Sequence, residues 1–172
     1  MKKIFLLLSI CIFINSCTSK ITNKHSLQIK ANIINKISPT ELNEKAGNYY
    51  SIKISITNNT DTIVNYWLMT CSWQDNLIFN TNSICFYRLG CKHNFPTIKK
   101  LLPKESLVYN GIIQICDTSN YKNKKSFKLG FIFINKNEYF DLTQDYFEVL
   151  LDRKKNNKHI IWCDNPINLV KE

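Results

Sequence analysis

Apolar and polar residues alternate with a period of two along most of the chain, the pattern of half-buried strands rather than helices. In Leu27-Gln28-Ile29-Lys30-Ala31-Asn32-Ile33 the apolar side chains take every second position, and Tyr50, Ile52, Ile54 and Ile56 repeat this against Ser51, Lys53 and Ser55. Asn58-Asn59-Thr60-Asp61 then supplies turn residues, so residues 63–69 are expected to return as the second arm of a hairpin. Further strands are expected at residues 84–89, 97–102, 106–115, 127–134, 146–151 and 159–162, with the polar stretch 153–158 looping between the last two. A helical turn is expected only over residues 40–45, led by Ser38 or Thr40 and carrying Glu41 and Glu44. Eight or nine short strands predict an all-β, two-sheet sandwich, because one open sheet would leave an apolar face in water. No internal repeat is visible.

The N-terminus follows a different rule. Lys2 and Lys3 precede an apolar run from Ile4 to Ile14, the order of a secretory signal, and the run is shorter than the roughly 20 residues that span a bilayer. It ends in Ile14-Asn15-Ser16-Cys17, which resembles the bacterial lipobox; Asn15 departs from the commonest form. The resemblance implies that the Cys17 thiol receives a diacylglycerol, that cleavage before it frees an amine for acylation, and that two or three chains then hold the protein on a membrane. Residues 1–16 are therefore read as a lipoprotein signal, 17–26 as a lipidated polar tether and 27–172 as a single domain. Thr18 stands where an Asp would favour inner-membrane retention in lipoproteins of enterobacterial type, so the outer membrane, facing the periplasm, is the expected address.

Charge adds little to this picture. Removing Lys2 and Lys3 from the 23 basic residues leaves 21 against 13 acidic ones. The richness in Ile, Asn and Lys matches an AT-rich genome. The basic residues gather at Lys99, Lys100 and Lys104, at Lys122, Lys124, Lys125 and Lys128, and at Arg153, Lys154, Lys155 and Lys158, each beside an expected turn. Such runs are read as solvated loop tips, with contact to anionic lipid or glycan as the alternative; nucleic-acid binding would interleave them with aromatics on one surface, and export argues against that client.

Within the all-β class, the stretch Ile56-Thr57-Asn58-Asn59-Thr60, the strand after it and the later Leu102-Pro103-Lys104-Glu105-Ser106 resemble immunoglobulin-like domains of bacterial envelope proteins. The likeness covers roughly residues 27–165. The chain is also similar to small, uncharacterised lipoproteins of Bacteroidetes type, which bring no known activity with them.

Cys11 leaves with the signal and Cys17 is taken by lipid, so Cys71, Cys85, Cys91, Cys116 and Cys163 remain, an odd number for an oxidising compartment. Among the fifteen two-bridge arrangements, a Cys71 to Cys91 bridge is preferred, since both cysteines sit at expected strand edges beside the least ordinary segment of the chain. That segment is Cys71-Ser72-Trp73-Gln74-Asp75-Asn76, followed after a strand by Cys91-Lys92-His93-Asn94. Trp73 and His93 are candidates to line a recognition surface, with Gln74, Asp75, Asn76 and Asn94 offering directional hydrogen bonds to a glycan or peptide. A plainer arrangement competes and is favoured: a stapled loop in which Trp73 packs on the disulfide while Asp and Asn side chains make turns.

Metal binding by Cys71, Cys91 and His93 lacks the close ligand pairs of structural zinc sites. A Cys91 nucleophile with His93 as base, or either of them with Asp75, lacks a fixed geometry, because sequence neighbours on a strand point to opposite faces or sit two apart. No nucleophile elbow, paired-carboxylate pattern or glycine-rich phosphate loop is present in the sequence. The expectation is a non-enzymatic, cofactor-free, lipid-anchored sandwich that binds a partner protein or envelope polymer. Its rivals are an inhibitor or immunity protein that inserts the loop 72–76 into a hydrolase, and a cysteine hydrolase.

Overall fold

The computed structural model describes residues 26–88, 90–117, 126–138 and 143–169, with residues 143 and 144 described for their backbone alone. The signal segment, Cys17, most of the tether, Leu89 and Lys122, Lys124 and Lys125 lie outside the described residues. The described residues form an all-β sandwich with one helix packed on its outside.

Among the described residues eleven strands follow in order: β1 (Leu27–Ile37), β2 (Tyr49–Asn58), β3 (Val64–Met69), β4 (Leu77–Phe79), β5 (Ile84–Phe86), β6 (Pro96–Leu101), β7 (Ser106–Ile115), β8 (Ser126–Phe127), β9 (Leu129–Ile132), β10 (Ile160–Trp162) and β11 (Ile167–Asn168). The helix α1 (Thr143–Asn156) lies between β9 and β10. One sheet has the order β1-β2-β7-β5, antiparallel throughout.

The second layer is built around β9, which pairs with β10 on one side and β4 on the other. Beyond β4, β3 takes over the same flank of the chain leaving β9, through the Tyr66 to Asn135 bridge and the Trp67 N–H to Ile134 carbonyl bond at 2.9 Å. β6 then pairs with β3. The short β8 and β11 extend the β9 and β10 ladder, joined to it by the Cys163 N–H to Leu129 carbonyl bond.

Alternation places one face of each strand in the core between the layers. Ile29, Ile52, Ile54, Ile56 and Ile113 come from the first sheet, and Tyr66, Leu68, Leu77, Leu129, Phe131 and Ile161 from the second. Tyr66 meets Phe131 edge-on at 5.4 Å between centroids. The second layer is apolar on its outer face as well. Met69, Ile132 and Ile134 form a separate cluster with Tyr146 and Leu150 of α1. The helix is therefore the cover that keeps the second layer's outer face dry, and β9 is buried at every position because it is covered on both sides.

Several sequence expectations change here. Residues 146–151 are helical, not a strand. Tyr146, Leu150 and Arg153 follow the i, i+4, i+7 spacing of one helix face, and Asp145 in the first turn with Arg153 to Lys155 in the last suit the helix dipole. The helix ends where Asn157 takes a left-handed φ of 52° and the Lys158 N–H reaches back to the Arg153 carbonyl at 3.1 Å. Residues 153–158 thus finish a helix instead of looping between strands, and Arg153, only 8% exposed, is no solvated loop tip. Its guanidinium bonds the Phe133 carbonyl and the Glu138 carboxylate.

The expected hairpin of β2 with β3 is also absent. Both edges of β2 are taken by β1 and β7, so the chain must change layers after the turn. Asn58 holds that crossing, fully buried: its amide faces the carbonyls of Thr62, Leu101 and Leu102 at 2.7, 3.1 and 3.0 Å, and its Oδ1 accepts from the Thr60 backbone and hydroxyl. The expected helical turn is a 3-10 turn at Pro39–Leu42 with Ser38 and Glu41 forming its capping box. The strand β4, absent from the sequence reading, is three residues long, too short to show a period.

Candidate functional site: a groove between two strand edges

After β3 the chain enters a 3-10 turn, Trp73–Asn76, held at its start by two devices. The Cys71–Cys91 disulfide ties it to the segment before β6. Asn94 accepts the backbone N–H groups of Cys71 and Ser72 at 3.2 and 3.1 Å, and its amide donates to the Ser72 hydroxyl at 2.6 Å. A second disulfide, Cys85–Cys116, ties β5 to the end of β7. The odd cysteine is Cys163, buried in the core, where loss of solvent pushes its thiol pKa up.

This clamp sends the four side chains of the turn in different directions. Trp73 turns inward, with its ring 4.9 Å from Tyr109 and 5.9 Å from Phe86, over Gly111, where a Cβ would stand 3.1 Å from the indole. Asn76 is fully buried, accepting from the Tyr146 phenol at 2.7 Å and donating to the carbonyls of Trp67 and Ile132. Asp75 is buried too. Its carboxylate accepts from the Ser72 hydroxyl and pairs with Arg88 at 2.6 Å. Gln74 alone reaches a groove, and its side-chain amide has no hydrogen-bond partner among the described residues.

That groove holds about 340 Å³. Its floor is β4 and β5, every residue of both, and its rim carries Gln74, Thr81, Asn82, Arg88 and Lys154. Arg88 and Lys154 are the ionisable side chains among the lining residues described. Arg88 is 66% exposed although its partner Asp75 is nearly enclosed, so the carboxylate anchors the guanidinium without covering it. Lys154 is half-buried on α1 and has no hydrogen bond or ion pair among the described residues. Burial pulls its ammonium pKa down, the Asp75 carboxylate pushes it back up, and the Arg88 guanidinium lowers it again.

Of the residues singled out from sequence, the structure brings Cys71, Cys91, Trp73, Gln74, Asp75, Asn76 and Asn94 into one stapled loop. His93 is exposed, and its backbone carbonyl accepts from the Thr70 hydroxyl. Trp73 and His93 do not share a surface: one faces the interior and the other solvent. With Cys71 and Cys91 bonded to each other, neither offers a thiolate to a metal or a substrate. Among the described residues no three His, Cys, Asp or Glu side chains are placed to hold a metal ion. A wider groove of about 620 Å³ beside α1 is lined by Glu138, Asp145, Glu148 and Asp152 together with Arg153, Lys158 and His159.

The sequence reading missed Arg88 and Lys154. Each sat inside an expected element or a basic run, and nothing local marks a cation that another part of the chain will bring beside a buried carboxylate.

No family model matches the chain, and no curated protein matches it. Among solved structures it is similar to a FixG-related protein from Vibrio parahaemolyticus, at 10% identity over 83% of this chain and 95% of that one, with a TM-score of 0.39. A likeness of that size carries nothing over to what this chain does.

Proposed function

We propose that this chain is a lipid-anchored envelope protein, held on a membrane through Cys17 and binding a partner protein or envelope polymer without catalysis. The observation that carries the reading is the stapled groove. Two disulfides flank it, Cys71–Cys91 on the turn that supplies Gln74 and Cys85–Cys116 on the strand that supplies its floor. Disulfides persist in exported proteins and are rare in reducing compartments, which agrees with the signal-like N-terminus and the lipobox resemblance. A groove held rigid before binding loses little conformational entropy when it is filled.

The test has two parts. Mass spectrometry of the membrane-purified chain should find residue 17 as the acylated N-terminus, and Cys17→Ala should release the protein from membranes. A photo-cross-linker placed at Gln74 should form a defined adduct in intact cells, while the same group at Lys53, on the polar outer face of the first sheet, should not. An unprocessed Met1 terminus would overturn the anchor, and equal labelling from both positions would overturn the groove as the binding site.

A further inference from the structure

The groove lies between two open strand edges, one from each layer. β4 pairs with β9 alone and β5 with β7 alone, so each keeps one flank without a ladder partner among the described residues. In β5 the bonds from the Cys116 N–H to the Ser83 carbonyl and from the Tyr87 N–H to the Ile112 carbonyl set the alternation. They turn the backbone groups of Ile84 and Phe86 away from β7, toward the open side. An exposed edge of this kind is a template for an added strand, with main-chain bonds giving affinity and alternate side chains giving specificity.

The chemistry at the rim selects among strands. Among the described residues the groove lining presents two cations, Arg88 and Lys154, and no carboxylate. Asp75 is spent from behind on Arg88 and Ser72. Lys154 is partly withdrawn from water with no counter-ion bonded to it among the described residues, a position in which an incoming carboxylate is favoured more strongly than on an open surface. On the floor below the cations the partly buried Phe79 and Phe86 offer aromatic surface, and at the rim Gln74 and Asn82 offer amides.

We infer that this groove binds an extended acidic peptide segment of a partner protein, which adds along the open edge of β5 and sets a carboxylate between Arg88 and Lys154. The inference rests on the binding role proposed above and names its ligand class.

The experiment uses the full-length, lipidated protein in detergent and two labelled peptides that alternate Val and Thr, one ending in Glu residues and the other in Gln. The Glu peptide should bind about tenfold tighter than the Gln peptide, the scale of one charge pair in a partly dry site. Lys154→Gln should remove most of that difference by weakening binding of the Glu peptide. This substitution breaks no hydrogen bond or ion pair among the described residues, whereas Arg88→Gln would strand the buried Asp75. Inorganic phosphate added as a competitor should displace the Glu peptide only weakly, since it cannot use the strand edge. Equal affinity for the two peptides, full Glu-peptide affinity in Lys154→Gln, or complete displacement by phosphate would each overturn the inference. A Gln74 cross-link that survives in cells in that case leaves the binding role standing, and its loss takes both away.

Discussion

The Tyr146 phenol donates to Asn76 Oδ1 at 2.7 Å, joining the helix to a turn seventy residues earlier in the chain. Both side chains are fully buried, and the Asn76 amide spends its donors on the carbonyls of Trp67 and Ile132. One side-chain pair thus connects α1, β3, β9 and the turn that supplies Gln74 to the groove.

Tyr146→Phe keeps the ring and removes the donor, leaving Asn76 Oδ1 buried without its partner. The expected loss is about 1–3 kcal/mol of unfolding free energy. Urea denaturation followed by far-UV circular dichroism reads it. A change close to zero would mean that water replaces the phenol and that the helix is held by packing alone.

Alkaline pH should unfold the domain through its buried phenols. Burial raises the pKa of both Tyr66 and Tyr146 well above the ordinary value of 10.0. A folded-state pKa raised above the unfolded one gives stability that is complete below pH 10 and lost as pH climbs toward the folded values. Phenolate absorbance from these two residues should therefore appear together with the loss of circular dichroism. In Tyr66→Phe the decline of stability with pH above 10 should be shallower.

Gly130 tests the contact between β9 and β10 on the face toward the helix. A Cβ there would stand 2.5 Å from the Ile160 Cγ2 and 2.9 Å from the Trp162 ring, atoms that a stiff β-branched residue and an indole cannot move cheaply. Gly130→Ala is expected to cost about 1–3 kcal/mol by overpacking. The midpoint of urea unfolding should fall with little change in slope.

The two bridges and the buried thiol give a site-specific redox map. Alkylation of the native chain followed by peptide mapping should leave Cys163 unmodified, and alkylation in denaturant should label it while Cys71, Cys85, Cys91 and Cys116 stay paired. Replacing Cys85 and Cys116 together by Ser opens a link spanning 31 residues and should cost about 3–4 kcal/mol; the Cys71 and Cys91 pair, spanning 20, should cost about 3. Labelling of native Cys163 would show that the core beneath β10 opens readily.

The alternation in β1, β2 and β7 was legible from sequence because each strand has one wet face and one dry face, and period two is all that such a strand needs. The two stretches that carried the immunoglobulin-like resemblance turn out to meet. The Asn58 N–H donates to the Glu105 carbonyl at 2.9 Å, the Lys104 N–H to the Asn58 carbonyl at 3.0 Å, and the Lys104 ammonium to the Asn59 carbonyl at 2.9 Å. The pairing of Cys71 with Cys91 was likewise within reach, since both cysteines stand at strand ends beside one unusual segment.

By itself, then, the sequence marked the long alternating strands, the sandwich class and a preferred staple, all read from patterns that neighbours in the chain carry. Only the tertiary structure decided that residues 146–151 coil into a helix: a run of apolar residues satisfies either period, and the outer face of β9 needed a cover. Pairing partners were decided there too, because β2 had no free edge left for β3. So was the groove. Gln74, Arg88 and Lys154 lie on a turn, beyond a strand and on a helix, and their meeting around a buried carboxylate depends on packing between segments whose local patterns carry no record of one another.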